Sequence, residues 1–143
     1  MKIVDIDPAD PRLEAVFPVL QELRPHLTAE EFRALYEEGR GTGLQYTAAF
    51  GDDGSCLGVI GWHVVVTTVQ GRTMYVDDLV VSAAVRSGGV GRALLGHVEE
   101  RAREGGCNAL RLDSGTQRVQ AHRFYMREGL TIGAFHFIKP LNG

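Results

Sequence analysis

Tyr75-Val76-Asp77-Asp78-Leu79-Val80-Val81, followed after a short spacer by Arg86-Ser87-Gly88-Gly89-Val90-Gly91-Arg92-Ala93, is the stretch on which the fold turns. The first run is apolar with two acids set into it and reads as a strand over residues 74–82. After the loop, Val90, Ala93, Leu94, Val98 and Ala102 recur at helical spacing, and Gly105-Gly106 closes them. A glycine loop between a strand and a helix start offers backbone N–H groups and the positive end of a helix dipole, both suited to an anion. Glycine also lets the backbone approach a phosphate with no Cβ in the way.

Three anions compete for such a loop. A P-loop ends in Gly-Lys-Ser/Thr, and here Gly91 is followed by Arg92-Ala93, which rejects it. A dinucleotide fingerprint would run Gly89-x-Gly91-x-x-Leu94, with Asp113 at the end of the next strand. It lacks its third glycine, and residues 82–85 delay the loop. The third reading needs the rest of the chain.

Working outward, residues 1–6 alternate apolar and polar and read as a first strand. Asp10-Pro11 offers a helix start, and Leu13, Val16, Phe17 and Leu20 follow at helical spacing. Pro18 inside that run predicts a kink or a late start. Thr28-Ala29-Glu30-Glu31 is a capping box ahead of Phe32, Leu35 and Tyr36. Residues 44–50, 56–69 and 74–82 read as an antiparallel meander with turns at Asp52-Asp53-Gly54 and Gln70-Gly71. Beyond the central helix come a short strand at 109–112, a helix at 117–128 closed by Gly129, and a last strand at 131–138. This order predicts an α+β domain spanning residues 1–143.

Composition narrows the function. At 143 residues the chain has the size of one domain, and 15 Lys and Arg against 18 Asp and Glu leave a net charge of −3. That gives no bulk positive field for a nucleic-acid backbone. Cys56 and Cys107 stand apart from any CxxC or Cys/His spacing, which predicts free thiols, no metal site and a reducing, cytoplasmic setting. No signal peptide is expected at the start. Residues 54–71 carry no Asp, Glu, Lys or Arg, but His63, Thr67, Thr68 and Gln70 and a β-branched run predict a strand rather than a membrane span. His26, His63, His122 and His136 show no ligand spacing and read as structural or surface residues.

Arg86-x-x-Gly89-x-Gly91 after the strand resembles the pyrophosphate motif of the GCN5-related N-acetyltransferases, the GNAT superfamily. Ala121-His-Arg-Phe-Tyr125-Met-Arg-Glu-Gly129-Leu130 resembles the family's second motif, and the two occur in the family's order. The resemblance implies a three-layer arrangement: a single mixed, largely antiparallel sheet with helices on both faces and two splayed parallel strands at its centre. Acetyl-CoA, as co-substrate, would lie between residues 74–82 and 109–113. A bulge near 79–81 would free the backbone of Leu79, Val80 and Val81 for the pantetheine arm. Backbone N–H groups of Ser87, Gly88, Gly89, Val90, Gly91 and Arg92 would hold the pyrophosphate, with Arg86, Arg92 and Arg118 adding charge. Gly88 stands where the family more often has a basic residue.

The implied activity is transfer of acetyl from acetyl-CoA to a primary amine by direct attack through a tetrahedral intermediate. The alternative is a non-catalytic acyl-CoA sensor on the same fold. An amine of pKa about 10.4 is neutral about once in 2,500 molecules at pH 7, so a proton acceptor is needed. A general acid then serves the leaving thiolate. Tyr125 matches the family's acid, and Asp113 lies where some members carry a base. Asp77 and Asp78, as neighbours on a strand, are expected on opposite faces, with Asp78 the third catalytic candidate. Arg24 and His26 fall in the segment that covers the acceptor in this family. The expected partner is a small-molecule or peptide amine, with no nucleic acid and no membrane, and the resemblance allows a homodimer.

Overall fold

The computed structural model describes residues 1–85 and 88–142. By its contacts the chain divides into two compact units, Met1–Arg111 and Leu112–Gly143.

The first unit is built on strands β1 (Lys2–Ile6), β2 (Gln45–Phe50), β3 (Cys56–Thr67), β4 (Gly71–Val81) and β5 (Ala109–Leu112), whose last residue lies beyond the unit. They line up in chain order, β1 to β4 antiparallel and β5 parallel to β4. The crossover that parallel pairing requires is helix α3 (Val90–Glu104), which ends at Gly105 as its sequence foretells.

Helices α1 (Leu13–Leu23) and α2 (Ala29–Gly39) precede the meander. Asp10 is not the cap of α1. Its carboxylate takes the Arg12 N–H at 2.9 Å, and the helix begins at Leu13 and runs on through Pro18. The capping box of α2 forms: Thr28 Oγ1 accepts from the Glu31 N–H at 3.1 Å, and the Thr28 N–H donates to Glu31 Oε1 at 3.2 Å. The expected hairpin turns form with Gly54 at φ +81° and Gly71 at φ +71°, the left-handed region that favours glycine.

β3 is the central strand, and its two faces carry different layers. On one face a Cβ at Gly58 would lie 2.9 Å from Val90 and 3.1 Å from Leu94, so α3 sits directly on this backbone. On the same face the Arg101 guanidinium of α3 lies 6.0 Å from the Trp62 ring, and its Nη2 donates to Asp5 at 2.7 Å. On the other face a Cβ at Gly61 would lie 2.5 Å from the Tyr46 ring, and Tyr46 meets Phe32 and Tyr36 of α2 edge-on. Val59 and Ile60, neighbours on opposite faces, are both fully buried.

The β3–β4 ladder corrects one expectation. Leu79, Val80 and Val81 pair regularly with Ile60, Val59 and Gly58. The register shift falls lower: Gly61 pairs with Asp78 and Trp62 with Val76, leaving Asp77 opposite no residue. The bulge therefore sits at Asp77 and not at 79–81.

In the second unit, helix α4 (Val119–Arg127) stands where expected, and Gly129 follows at φ +93°. The last expected strand does not form. Residues 131–138 alternate suitably, but a strand exists only where a neighbouring edge completes its hydrogen bonds, and none does so among the described residues. Phe135, Phe137 and Ile138 are exposed accordingly.

Candidate active site

The first part of the site is the start of α3. Gly89 takes the N-cap position at φ +70°, no side chain caps the helix, and a Cβ at Gly89 would meet nothing within 4 Å. Ala93 N–H reaches back to Gly89 O at 2.9 Å. A 15-residue helix that begins on an uncapped glycine facing open space fits a phosphate-bearing ligand. Gly88, Gly89, Val90 and Gly91 lie at this start. Arg86 and Ser87, also expected to hold the pyrophosphate, lie outside the described residues. Leu79, Val80 and Val81 lead toward it at the end of β4.

The second part is the bulge of β4, and it overturns the expectation that Asp77 and Asp78 face opposite ways. Alternation along β3 puts Gly61 and His63 on one face, and Asp78 pairs with Gly61. The unpaired Asp77 turns to that same face, where its Oδ2 meets His63 Nδ1 at 2.7 Å. Both carboxylates thus lie on the α1/α2 side of the sheet.

Their surroundings differ. Asp78 is 9% exposed and both its oxygens are engaged. Oδ1 takes the Arg24 guanidinium, at 2.8 Å from Nε and 2.6 Å from Nη2, and Oδ2 accepts from the Tyr46 hydroxyl at 2.5 Å. Burial and the adjacent Asp78 charge drive the Tyr46 phenol far above its ordinary pKa, so it stays a donor. Arg24 also donates to the Asp77 carbonyl at 3.3 Å, which ties the end of α1 to the bulge. Asp77 and His63 are about a quarter exposed, and burial pushes the Asp77 carboxyl above the usual range while His63 pulls it back. The His63 ring meets Tyr75 edge-on at 5.6 Å, with the Arg111 guanidinium 5.0 Å from that tyrosine's ring.

Beside Asp78 opens a cavity of about 270 Å³. Its wall is mostly apolar: Phe32, Tyr36, Tyr46 and the leucines 27, 35 and 44. Arg24, His26 and Asp78 supply its polar groups, so the segment expected to cover an acceptor does line a cavity.

The second unit carries the other expected residues. Tyr125 is half-buried on α4, and burial raises its pKa while the Arg118 side chain, hydrogen-bonded to it, pulls the other way. Arg118, expected to add charge at the pyrophosphate, is hydrogen-bonded to this tyrosine. Asp113 pairs with His136 at 3.2 Å, and His122 Nε2 lies 2.8 Å from the Gly115 carbonyl.

Reading the sequence missed Tyr46 and His63. Counting back from the Gln70-Gly71 turn places His63 opposite Tyr75, a signal within reach. Its meeting with Asp77 depends on the bulge and is not reachable by counting. Nothing local marks Tyr46.

Among the described residues, no group of three or more His, Cys, Asp or Glu is placed to hold a metal, and no helix is long and apolar enough to cross a membrane.

Comparison with known proteins converges on one family. The sequence profile described as "Acetyltransferase (GNAT) family" matches residues 12–130. The Uncharacterized N-acetyltransferase YhdJ of Bacillus subtilis is 32% identical over 126 residues, covering 87% of this chain and 89% of that protein. Blasticidin-S acetyltransferase of Streptomyces morookaense is 33% identical over 129 residues, 87% of this chain and 84% of its own. Among solved structures, an acetyltransferase of Trypanosoma brucei superposes with a TM-score of 0.79 at 21% identity, over 98% of this chain and 99% of that one, a likeness of fold.

Proposed function

The chain belongs to the GNAT family of acetyltransferases, and from that premise we propose that residues 1–143 form one N-acetyltransferase domain moving acetyl from acetyl-CoA to a primary amine. The observation that carries the reading is the pairing of an open, glycine-capped helix start with an acid-bearing cavity on the strand that leads to it.

In this reading backbone groups at Gly88, Gly89, Val90 and Gly91 bind the pyrophosphate, with Arg86, Ser87 and Arg92 beside them. Leu79, Val80 and Val81 supply backbone to the pantetheine arm. The cavity beside Asp78 takes the body of the acceptor. Asp78, tied to Arg24 and Tyr46, forms the polar end of that cavity, and Asp113 is a second acidic candidate. The amine attacks the thioester carbonyl through a tetrahedral intermediate. Tyr125, kept protonated by burial, gives its proton to the departing sulfur, with Arg118 orienting the phenol.

The mostly apolar cavity wall favours an amine on an apolar or aromatic body over a compact, highly charged one. The test is CoA release with acetyl-CoA and three amines: tryptamine, spermidine and 2-aminoethylphosphonate. Tryptamine is expected to turn over fastest. Acetyl-CoA is expected to raise the melting temperature, by about 2.7 kcal/mol of stabilisation at a hundredfold excess over Kd. Protein that neither binds acetyl-CoA nor releases CoA with any of the three refutes the reading.

A further inference from the structure

The acceptor amine must lose a proton as it becomes an amide, and Asp78 is poorly placed to take it. Each of its oxygens already accepts a hydrogen bond, from Arg24 and from Tyr46. Protonating it would remove the charge that holds the Arg24 guanidinium, at a site 9% exposed.

His63 lies two residues from Gly61 on the same face, in a different state. Its Nδ1 meets Asp77 Oδ2 at 2.7 Å, and its Nε2 has no partner among the described residues. An ionised carboxylate only accepts, so Nδ1 carries the ring proton and Nε2 presents a lone pair. The ring is a quarter exposed, open enough to meet an amine or one bridging water.

The geometry points to His63 as the proton acceptor for the amine, with Asp77, the extra residue of the β4 bulge, as its positioning residue. The assignment rests on the acetyl-transfer reading above. The amine nitrogen's lone pair forms the C–N bond and the C–S bond breaks. The acceptor arrives as an ammonium and its nitrogen loses two protons in turn, one before attack and one from the tetrahedral intermediate, and each passes to His63 Nε2 and then to solvent. The sulfur takes its proton from Tyr125, which recovers one from solvent. Asp77 and Tyr75 of β4 meet the ring, Arg111 of β5 lies across Tyr75, and Asp78 and Arg24 act on Asp77.

The experiment follows CoA release with the same three amines for wild type, His63→Ala and Asp77→Asn, with acetyl-CoA-induced thermal stabilisation as the control for folding. His63→Ala is expected to lose about 10²-fold in kcat/KM, the low end for a proton handler. Added imidazole should restore part of that loss, which a structural role for the ring would not allow. Asp77→Asn should lower kcat with KM for acetyl-CoA unchanged, since an amide no longer fixes the ring orientation and tautomer that present Nε2 to the amine. A His63→Ala protein that binds acetyl-CoA and keeps wild-type kcat/KM overturns the assignment and leaves the acetyl-transfer reading standing. So does one that is slow but indifferent to imidazole. A wild-type protein that binds acetyl-CoA and acetylates none of the three overturns both. If His63→Ala does not fold, an Asp77→Asn protein with wild-type kcat overturns the assignment by itself.

Discussion

Replacing Arg24 by Met removes the guanidinium from Asp78 while keeping most of the apolar stem. The carboxylate is then left with Tyr46 as its hydrogen-bond donor in a site 9% exposed. Breaking a fully buried ion pair from one side costs about 3–5 kcal/mol, and an exposed pair is worth about 0–1. Arg24 is 41% exposed, so water screens its half of the pair. A value of about 2 kcal/mol follows. At about 2.1 cal/mol/K per residue, a chain of 143 residues unfolds with roughly 300 cal/mol/K, so Tm should fall by about 6–7 °C. The assay is calorimetry on wild type, R24M, D78N and the double variant. The cycle should return a coupling of about 1–2 kcal/mol, since the amide that D78N introduces has no charge to leave unpaired. A Tm for R24M within about 1 °C of wild type, or strict additivity, would refute the view that Arg24 neutralises Asp78.

Gly61→Ala should cost about 1–3 kcal/mol, because the new methyl would lie 2.5 Å from the Tyr46 ring and push it off Asp78; chemical denaturation measures it. Gly89→Val, at φ +70°, should destabilise by about 1–2 kcal/mol and weaken the thermal shift given by acetyl-CoA, while Gly96→Ala should leave that shift intact. Tyr125→Phe should lower kcat about 10²-fold without changing acetyl-CoA affinity, as read by CoA release and calorimetric titration. Burial pushes the Asp5 carboxyl up, but hydrogen bonds from Thr47 and Arg101 outweigh it, and its folded pKa lies below the ordinary 3.8. Asp5 therefore contributes stability that is present above pH 3.8 and lost as pH falls through the folded value. The urea midpoint of Asp5→Asn should accordingly fall less than that of wild type between pH 5 and pH 3.

The parts of the fold legible in the sequence are those fixed by near neighbours. The capping box at Thr28–Glu31, the glycines at 54, 71 and 105, and the helical spacing from Val90 each act within a few residues, and each element stands where its signal lies. What the sequence misleads on depends on distant partners. A last strand at 131–138 needs an edge to pair with, and alternation alone supplies none. The orientation of Asp77 and Asp78 depends on the β3–β4 register, and strict alternation gives the wrong face for one of them. At the site, the cost of two acids in an apolar strand marks Asp77 and Asp78 as purposeful. Arg24 is marked by its segment, yet its tie to Asp78 spans 54 positions in sequence, and Tyr46 joins from a third element. His63 carries no motif; its meaning lies wholly in what faces it.

The ladder between β3 and β4 can be read as an account of two strands of unequal length. From Gly71 to Val81 one strand spends eleven residues against ten on its partner, Gly58 to Thr67, and the surplus residue is Asp77. Removing it would leave Val76 and Asp78 adjacent, still opposite Trp62 and Gly61, with every other residue on its present face. The sheet has no need of Asp77, so its deletion should be milder for folding than deletion of any paired neighbour. A residue the scaffold can do without is one whose identity is free to be set by chemistry alone.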